Sequence, residues 1–420
     1  MLTQTVRPLL AEQYSDMLAR DFRSRNALLS SHSHTLNDLA RFDQRMLTCL
    51  QGMMLLKEQT SAYLRSQLQE PLSAGELFSV ALFAIGTDDE FLLSGCLGLA
   101  QALPRLVPVI FSAADWMPEQ SSLWPQILSF PVYRAYVTAT RNDQVTSATF
   151  SQQDIQTLID QGRYVDFLLY FLYRSASPLF TPVLKIVFSS GREELILQGC
   201  RAVLCSHSLT DDYTDTAVKH LRRLSHSKRD DIRIPAVQYL LTHQTVSSRN
   251  LVSELAEDGT DIRLLIKAMG WSGLPEYIPS LMTYFDKSEY ARLSTLSVIS
   301  VTGSLPEQDG WQCKKDEEPR FTVTSESADI PPHDPEQGVS WPEREAFERW
   351  WQIHHERFTP NTPHLCGQLT TQEGLNTVLK QGYLCFRPLA LMRMRKFSEQ
   401  AALPAPEQYL LSGLMSTENK

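Results

Sequence analysis

The tripeptides Asp231-Ile232-Arg233 and Asp261-Ile262-Arg263 open two near-copies of one unit thirty residues apart, and Tyr290-Ala291-Arg292 opens a third. Self-similarity at a period of about twenty to fifty residues marks stacked repeats. Each repeat is too small to bury its apolar face alone and does so against its neighbours. Such a chain escapes the size limit of a single core, so length alone does not demand separate globular domains.

The middle unit has the clearest grammar. Residues 261–270 predict a helix, Trp271-Ser272-Gly273 breaks it, and Pro275 starts another through Tyr277, Ile278, Leu281, Met282 and Phe285. Proline near a helix start and glycine at its end is the physically expected asymmetry. The arginine after each turn falls early in an inner helix, where it can bond loop carbonyls or the aspartate of the neighbouring unit. From Asp261 the string DIRLLIKAMGWSGLPEYIPSLMTYFD resembles a HEAT repeat. The upstream copy, DIRIPAVQYLL, keeps the opening, places Pro235 in the first turn and lacks the terminal glycine pair.

Upstream, residues 6–69 read as two or three amphipathic helices. Leu29, Leu36 and Leu39, then Met46, Leu50 and Met53, recur mostly at steps of three, four or seven. Ser73 and Glu76 form a capping-box pattern ahead of the apolar run from Leu77. Residues 90–96 and 194–200 match almost position by position, each with a mid-helix glycine, Gly95 and Gly199. Such a glycine costs ~1 kcal/mol relative to Ala, so a close helix crossing is expected at each.

Between residues 304 and 340 the periodicity stops. Nine acidic residues against three basic ones, with five prolines, cannot bury enough apolar surface to offset the entropy of ordering. The stretch reads as a linker or insertion, with 321–325 as its one strand-like run. Order resumes at Trp341. Pro342 suits a first helical turn, and Glu343 and Glu345 suit its positive end.

The C-terminal block, ERWWQIHHERFTPNTPHLCGQLTTQEGLNTVLKQG followed by RPLALMRM, resembles HEAT-repeat proteins encoded in bacterial type VI secretion gene clusters. The matching positions are Trp350-Trp351, Phe358, Leu365-Cys366-Gly367, the 375–379 run and Gly382, and the resemblance spans most of the chain, including the capping pattern near Pro71 and the repeat at Asp261. The family's Arg-rich stretch is thinned here to Arg387, Arg393 and Arg395. The resemblance implies a bacterial genomic context and carries no reaction with it.

Composition narrows the partners. A net charge of −9 and a pI near 5.6 argue against bulk attraction to nucleic acid or anionic membrane. The longest apolar runs, 77–85 and 167–173, fall short of the ~18–20 residues that cross a bilayer. No secretory leader pattern is present at the N-terminus, and seven scattered cysteines lack any C-x-x-C pair. A cytoplasmic location with reduced thiols and no membrane insertion is the expectation.

A di-iron centre of the kind some HEAT-like enzymes carry needs repeated His-Glu pairs. Only His355-Glu356 occurs, and adjacent His354 and His355 point to different sides of a helix. No G-x-S-x-G, Walker A or H-E-x-x-H motif is present. No metal, cofactor or catalytic residue is therefore assigned. Lys219, Arg222, Arg223, Lys228 and Arg229 form a candidate basic patch, but Asp211, Asp212, Asp215, Asp230 and Asp231 flank it. A solvated helix face is favoured over a phosphate-binding stripe. Trp341, Trp350 and Trp351 are candidate partner-binding residues, although core packing is favoured for the last two.

The expected fold is all-α, an elongated α-solenoid of HEAT-like helix pairs with a C-terminal helical cap. Its sections are an N-terminal helical section (1–72), the repeats (73–303), the acidic linker or insertion (304–340), the cap (341–402) and a tail (403–420). The expected function is a non-catalytic scaffold for protein partners beside type VI secretion. The alternatives are a HEAT-like protein that binds nucleic acid through the basic face, and an enzyme with an unrecognised site.

Overall fold

The computed structural model describes residues 2–141, 149–206, 211–243, 245–314, 336–394 and 397. The fold is all-α: twenty-two α-helices and one two-stranded hairpin make up its regular structure among these residues. None of the described helices is long and apolar enough to cross a membrane. The chain divides into two compact units, Met1–Ser30 with His34–Ser206, and Ser31–Ser33 with His207–Ser398.

The first unit contains α1 (Leu2–Leu28), α2 (Leu36–Leu55), α3 (Lys57–Gln67), α4 (Ala74–Thr87), α5 (Glu90–Ala102) and α6 (Val107–Asp115). It continues with α7 (Trp124–Leu128), α8 (Pro131–Thr140), α9 (Gln152–Gln161), α10 (Val165–Arg174), α11 (Phe180–Ser189) and α12 (Glu193–Leu204). From α4 onward every second helix packs on the next, α4 on α6, α6 on α8, α8 on α10 and α10 on α12. The intervening helices lie against this ladder, which is the contact pattern of stacked helix pairs.

The expected capping box starts α4. Ser73 N–H donates to Glu76 (2.7 Å), and Glu76 N–H donates to the Ser73 hydroxyl (3.3 Å). Residues 77–85 of α4 are then buried on every side, as an all-round apolar helix must be. The two mid-helix glycines make room for large side chains. A Cβ on Gly95 would lie 2.7 Å from Leu68, and one on Gly199 would lie 2.9 Å from Val187 and Phe188.

The second unit holds α13 (Asp211–Leu224), α14 (Asp230–His243), α15 (Thr245–Asp258), α16 (Ile262–Ser272), α17 (Ile278–Met282) and α18 (Ala291–Thr302). It ends with α19 (Pro306–Asp309), α20 (Arg344–His354), β1 (His364–Leu365), β2 (Gln368–Leu369), α21 (Gln372–Gln381) and α22 (Arg387–Met394). The repeats supply its ladder, α14 on α16 and α16 on α18. Asp261 caps α16 by accepting from Leu264 N–H (2.9 Å), and Arg233 of the preceding unit donates to the same aspartate (2.8 Å). Arg263 in turn bonds the Glu289 carbonyl and Glu336. The Asp-x-Arg period is thus a chain of ties between neighbours.

Both α16 and α18 end on a glycine in the left-handed region, Gly273 and Gly303. Onto these ends the 364–367 backbone is seated. His364 N–H donates to the Gly273 carbonyl (2.8 Å), Cys366 N–H to Ser300 (2.7 Å) and Gly367 N–H to Val301 (3.0 Å). The Leu365-Cys366-Gly367 motif therefore takes up carbonyls that a helix end leaves without intrahelical donors. Arg393, buried on α22, completes the seat by donating to the Trp271 carbonyl (2.6 Å) and the His364 carbonyl (3.3 Å).

The acidic stretch differs from a uniform linker at its two ends. Trp311 is 0% exposed, stacks on Phe285, meets Phe347 edge-on at 4.7 Å and donates its indole N–H to the Ser304 hydroxyl (2.8 Å). Cys313 N–H donates to Trp341 and Glu343 N–H to Trp311, which binds residues 311–313 to 341–343. The strand-like run 321–325 lies outside the described residues.

Three outcomes are expected. Gly303→Ala puts a Cβ 2.5 Å from the Cys366 carbonyl oxygen, whereas Gly310, also at positive φ, has nothing within 4 Å. Each alanine costs about 1–3 kcal/mol of backbone strain. Denaturant midpoints should show the Gly303 variant clearly the weaker, by the extra cost of unseating the hairpin. Ser73→Ala should lower stability at neutral pH by about 0.5–2 kcal/mol. Ser73, through its side chain and then its backbone, holds the Glu76 carboxyl below its usual range. A depressed acid stabilises above its unfolded value of about 4.3 and loses that contribution as pH falls through the folded value. Melts of Glu76→Gln against pH should therefore lack the part of the acid-side loss that this carboxylate causes.

Candidate interaction surface

An apolar surface that the sequence did not announce lies on the α1–α2 hairpin. The two helices run antiparallel, with Arg25 against Asp43 near the connection and Tyr14 against Gly52 further out. Leu10, Tyr14 and Met17 fall at i, i+4 and i+7 of α1 and so share one stripe. Leu10 and Met17 are exposed and Tyr14 is half-buried. On α2, Leu55 stands about one turn beyond Gly52 on the same side and is 87% exposed, with Met54 beside it also exposed. Large apolar side chains open to water on neighbouring helices are a feature of surfaces that another protein covers.

Buried ions hold this hairpin together. The Arg25 guanidinium donates to Asp43 at 2.6 Å with both groups almost fully enclosed. Arg45 donates to buried Asp21 at 2.8 Å. Among the described residues, Asp21 Oδ2, Asp43 Oδ2 and Arg25 Nη2 find no hydrogen-bond partner. Burial pushes the Asp43 carboxyl up and Arg25 pulls it back, with burial prevailing. Such a pair costs desolvation and fixes register, and removing one partner strands the other.

The predicted tryptophans take different roles. Trp341 is buried under the Arg292 guanidinium, 4.7 Å from the ring centre. Trp350 is enclosed between Phe347 and the stacked ring of His354, with centroids 5.5 and 4.6 Å away. Trp351 is half-buried between His355 and Phe358. Ile353, on the same helix, is 75% exposed. Of the three tryptophans, Trp351 is the least buried.

The basic stretch is partly spent on acids. Arg222 pairs with Glu254 at 2.8 Å, and Arg229 with Asp231 at 2.8 Å. Lys219, Arg223 and Lys228 are exposed. His354 Nδ1 lies 2.9 Å from the Trp350 carbonyl oxygen, and His355 Nδ1 lies 3.0 Å from that of Gln352. Among the described residues, no group of three or more His, Cys, Asp or Glu is placed to hold a metal ion. Arg387 and Arg393, which stand in the thinned arginine stretch, are both buried on backbone carbonyls.

The stripe was missed because its residues sit inside a period that reads as core. Compared with family models, with curated proteins and with solved structures, the chain matches none.

Arg25→Ala is expected to destabilise the first unit by about 3–5 kcal/mol, because it leaves Asp43 buried without a counter-charge. The double replacement Arg25→Met with Asp43→Leu should recover most of that loss in thermal or denaturant melts.

Proposed function

We propose that the chain is a non-catalytic scaffold that holds a protein partner, acting beside bacterial type VI secretion in the cytoplasm. The observation that carries the scaffold reading is the open apolar stripe of Leu10, Tyr14, Met17 and Leu55. Exposed apolar rows of this kind mark surfaces that another protein covers. The stacked helix pairs support the same reading, since stacks of this class present broad surfaces suited to holding other proteins. The secretion context rests on the resemblance of residues 348–394, with Trp351 and Ile353 as a second contact region.

A photo-crosslinking residue placed at Leu55, in bacteria with an intact secretion cluster, is expected to trap a component of that cluster. The same residue at Arg223 should trap none. Leu55→Asp leaves the fold intact, because that side chain is 87% exposed, and should weaken partner affinity roughly tenfold or more. Unchanged affinity in that variant, or no cluster component trapped from position 55, would sink the proposal. A duplex-DNA titration separates the nucleic-acid alternative. Affinity that falls steeply with salt and vanishes on charge reversal at Arg222 and Arg223 would replace the scaffold reading.

A further inference from the structure

Between α5, the start of α6, α8, α9 and the turn from α9 to α10 lies a partly open cavity of about 430 Å³. That volume falls in the range of small-molecule sites. Val107, Phe130, Tyr133 and Tyr164 contribute apolar and aromatic wall, and exposed Arg163 lies at the edge.

Three features distinguish this cavity from a packing fault. The first is Tyr133, 2% exposed, with its ring held by Phe111 at 5.9 Å and Phe130 at 5.8 Å. Among the described residues nothing hydrogen-bonds its hydroxyl, and the oxygen is not sealed from solvent, so the phenol O–H is open to an acceptor entering the cleft that the residue lines. Burial, reinforced by Tyr164 and Cys96, pushes the phenol above its ordinary value. It therefore stays a neutral donor. A phenol O–H without a protein acceptor beside a roomy cleft can donate to an incoming oxygen.

The second feature is the wall itself. Tyr164 sits at φ +61°, a left-handed conformation that a bulky residue adopts at a cost. The turn is held by α12. Gln198 donates to the Gly162 carbonyl (2.9 Å) and accepts from Val165 N–H (2.7 Å), while Arg192 donates to the Ile159 carbonyl (3.0 Å). Strain maintained by such a bracket pre-forms the wall before anything binds. The third feature is Arg163, a cation with no carboxylate partner among the described residues, in a chain with more acids than bases.

We propose that this cavity binds a small amphipathic aromatic acid. Its apolar body fills the space lined by Val107, Phe130 and Tyr164, an oxygen acceptor faces the Tyr133 hydroxyl, and the anionic end lies at Arg163. This goes beyond the scaffold reading and does not depend on it.

The probes are 4′-acetylbiphenyl-4-carboxylate, biphenyl-4-carboxylate, which lacks the acceptor, and 4-acetylbiphenyl, which lacks the charge. Titration calorimetry on the full chain should show saturable one-to-one binding, tightest for the first. Tyr133→Phe should leave the melting temperature of the free protein unchanged, because its hydroxyl has no protein partner to lose. It should weaken the two acetyl probes by roughly two- to tenfold and leave biphenyl-4-carboxylate unaffected. Arg163→Gln should weaken only the two carboxylates, by roughly two- to fivefold. Val132→Trp, which fills the cavity from its half-buried rim, should abolish all three. Absence of saturable binding to a folded chain, or binding that survives Val132→Trp, would overturn the proposal.

Discussion

The seat of the 364–367 backbone on the ends of α16 and α18 is the constraint on which the second unit depends. A helix end leaves carbonyls without donors, and burying them unpaired costs as much as any lost hydrogen bond. Here the hairpin N–H groups reach Gly273, Ser300 and Val301, and Arg393 reaches Trp271. The guanidinium is fully enclosed, and burial lowers its pKa to about 10, which still leaves it charged at neutral pH. Its compensation is the negative end of α16, whose aligned peptide dipoles point at it. The glycines are the condition for this arrangement. Any Cβ at 273 or 303 would meet the hairpin backbone.

Much of this was legible along the chain because it is local or periodic. The Asp-x-Arg spacing gave the ladder, and the Arg233–Asp261 tie is the contact that the motif implied. Ser73 and Glu76 gave the start of α4, since a capping box is complete within four residues. The same rule holds for Ser151 with Asp154 at the start of α9. Glycine placement gave the end of the best repeat at Gly273.

What the sequence hid depends on partners far along the chain. Trp311 lies in an acidic, proline-rich stretch whose composition argues against burial, yet Phe285 and Phe347 supply its pocket from either side of that stretch. Arg25 and Asp43 look like ordinary surface charges on two amphipathic helices until the hairpin brings them to 2.6 Å. The open stripe on α1 has the same period as a core stripe, and only the burial of its neighbours separates the two. The cavity is assembled from several helices, and no single one of them carries a motif for it.

The seat also has a consequence for the order of events during synthesis. Helices α16 and α18 leave the ribosome long before residues 364–367, and Arg393 emerges later still. Until then the repeat ends are without their backbone donors, and pairing them requires closure of a loop that contains the whole acidic stretch. The local ladder can form early, whereas completion of the unit is a long-range step of the kind that slows folding. A nascent chain stalled before Arg393 would thus present well-formed helices with open ends, a species suited to capture by chaperones.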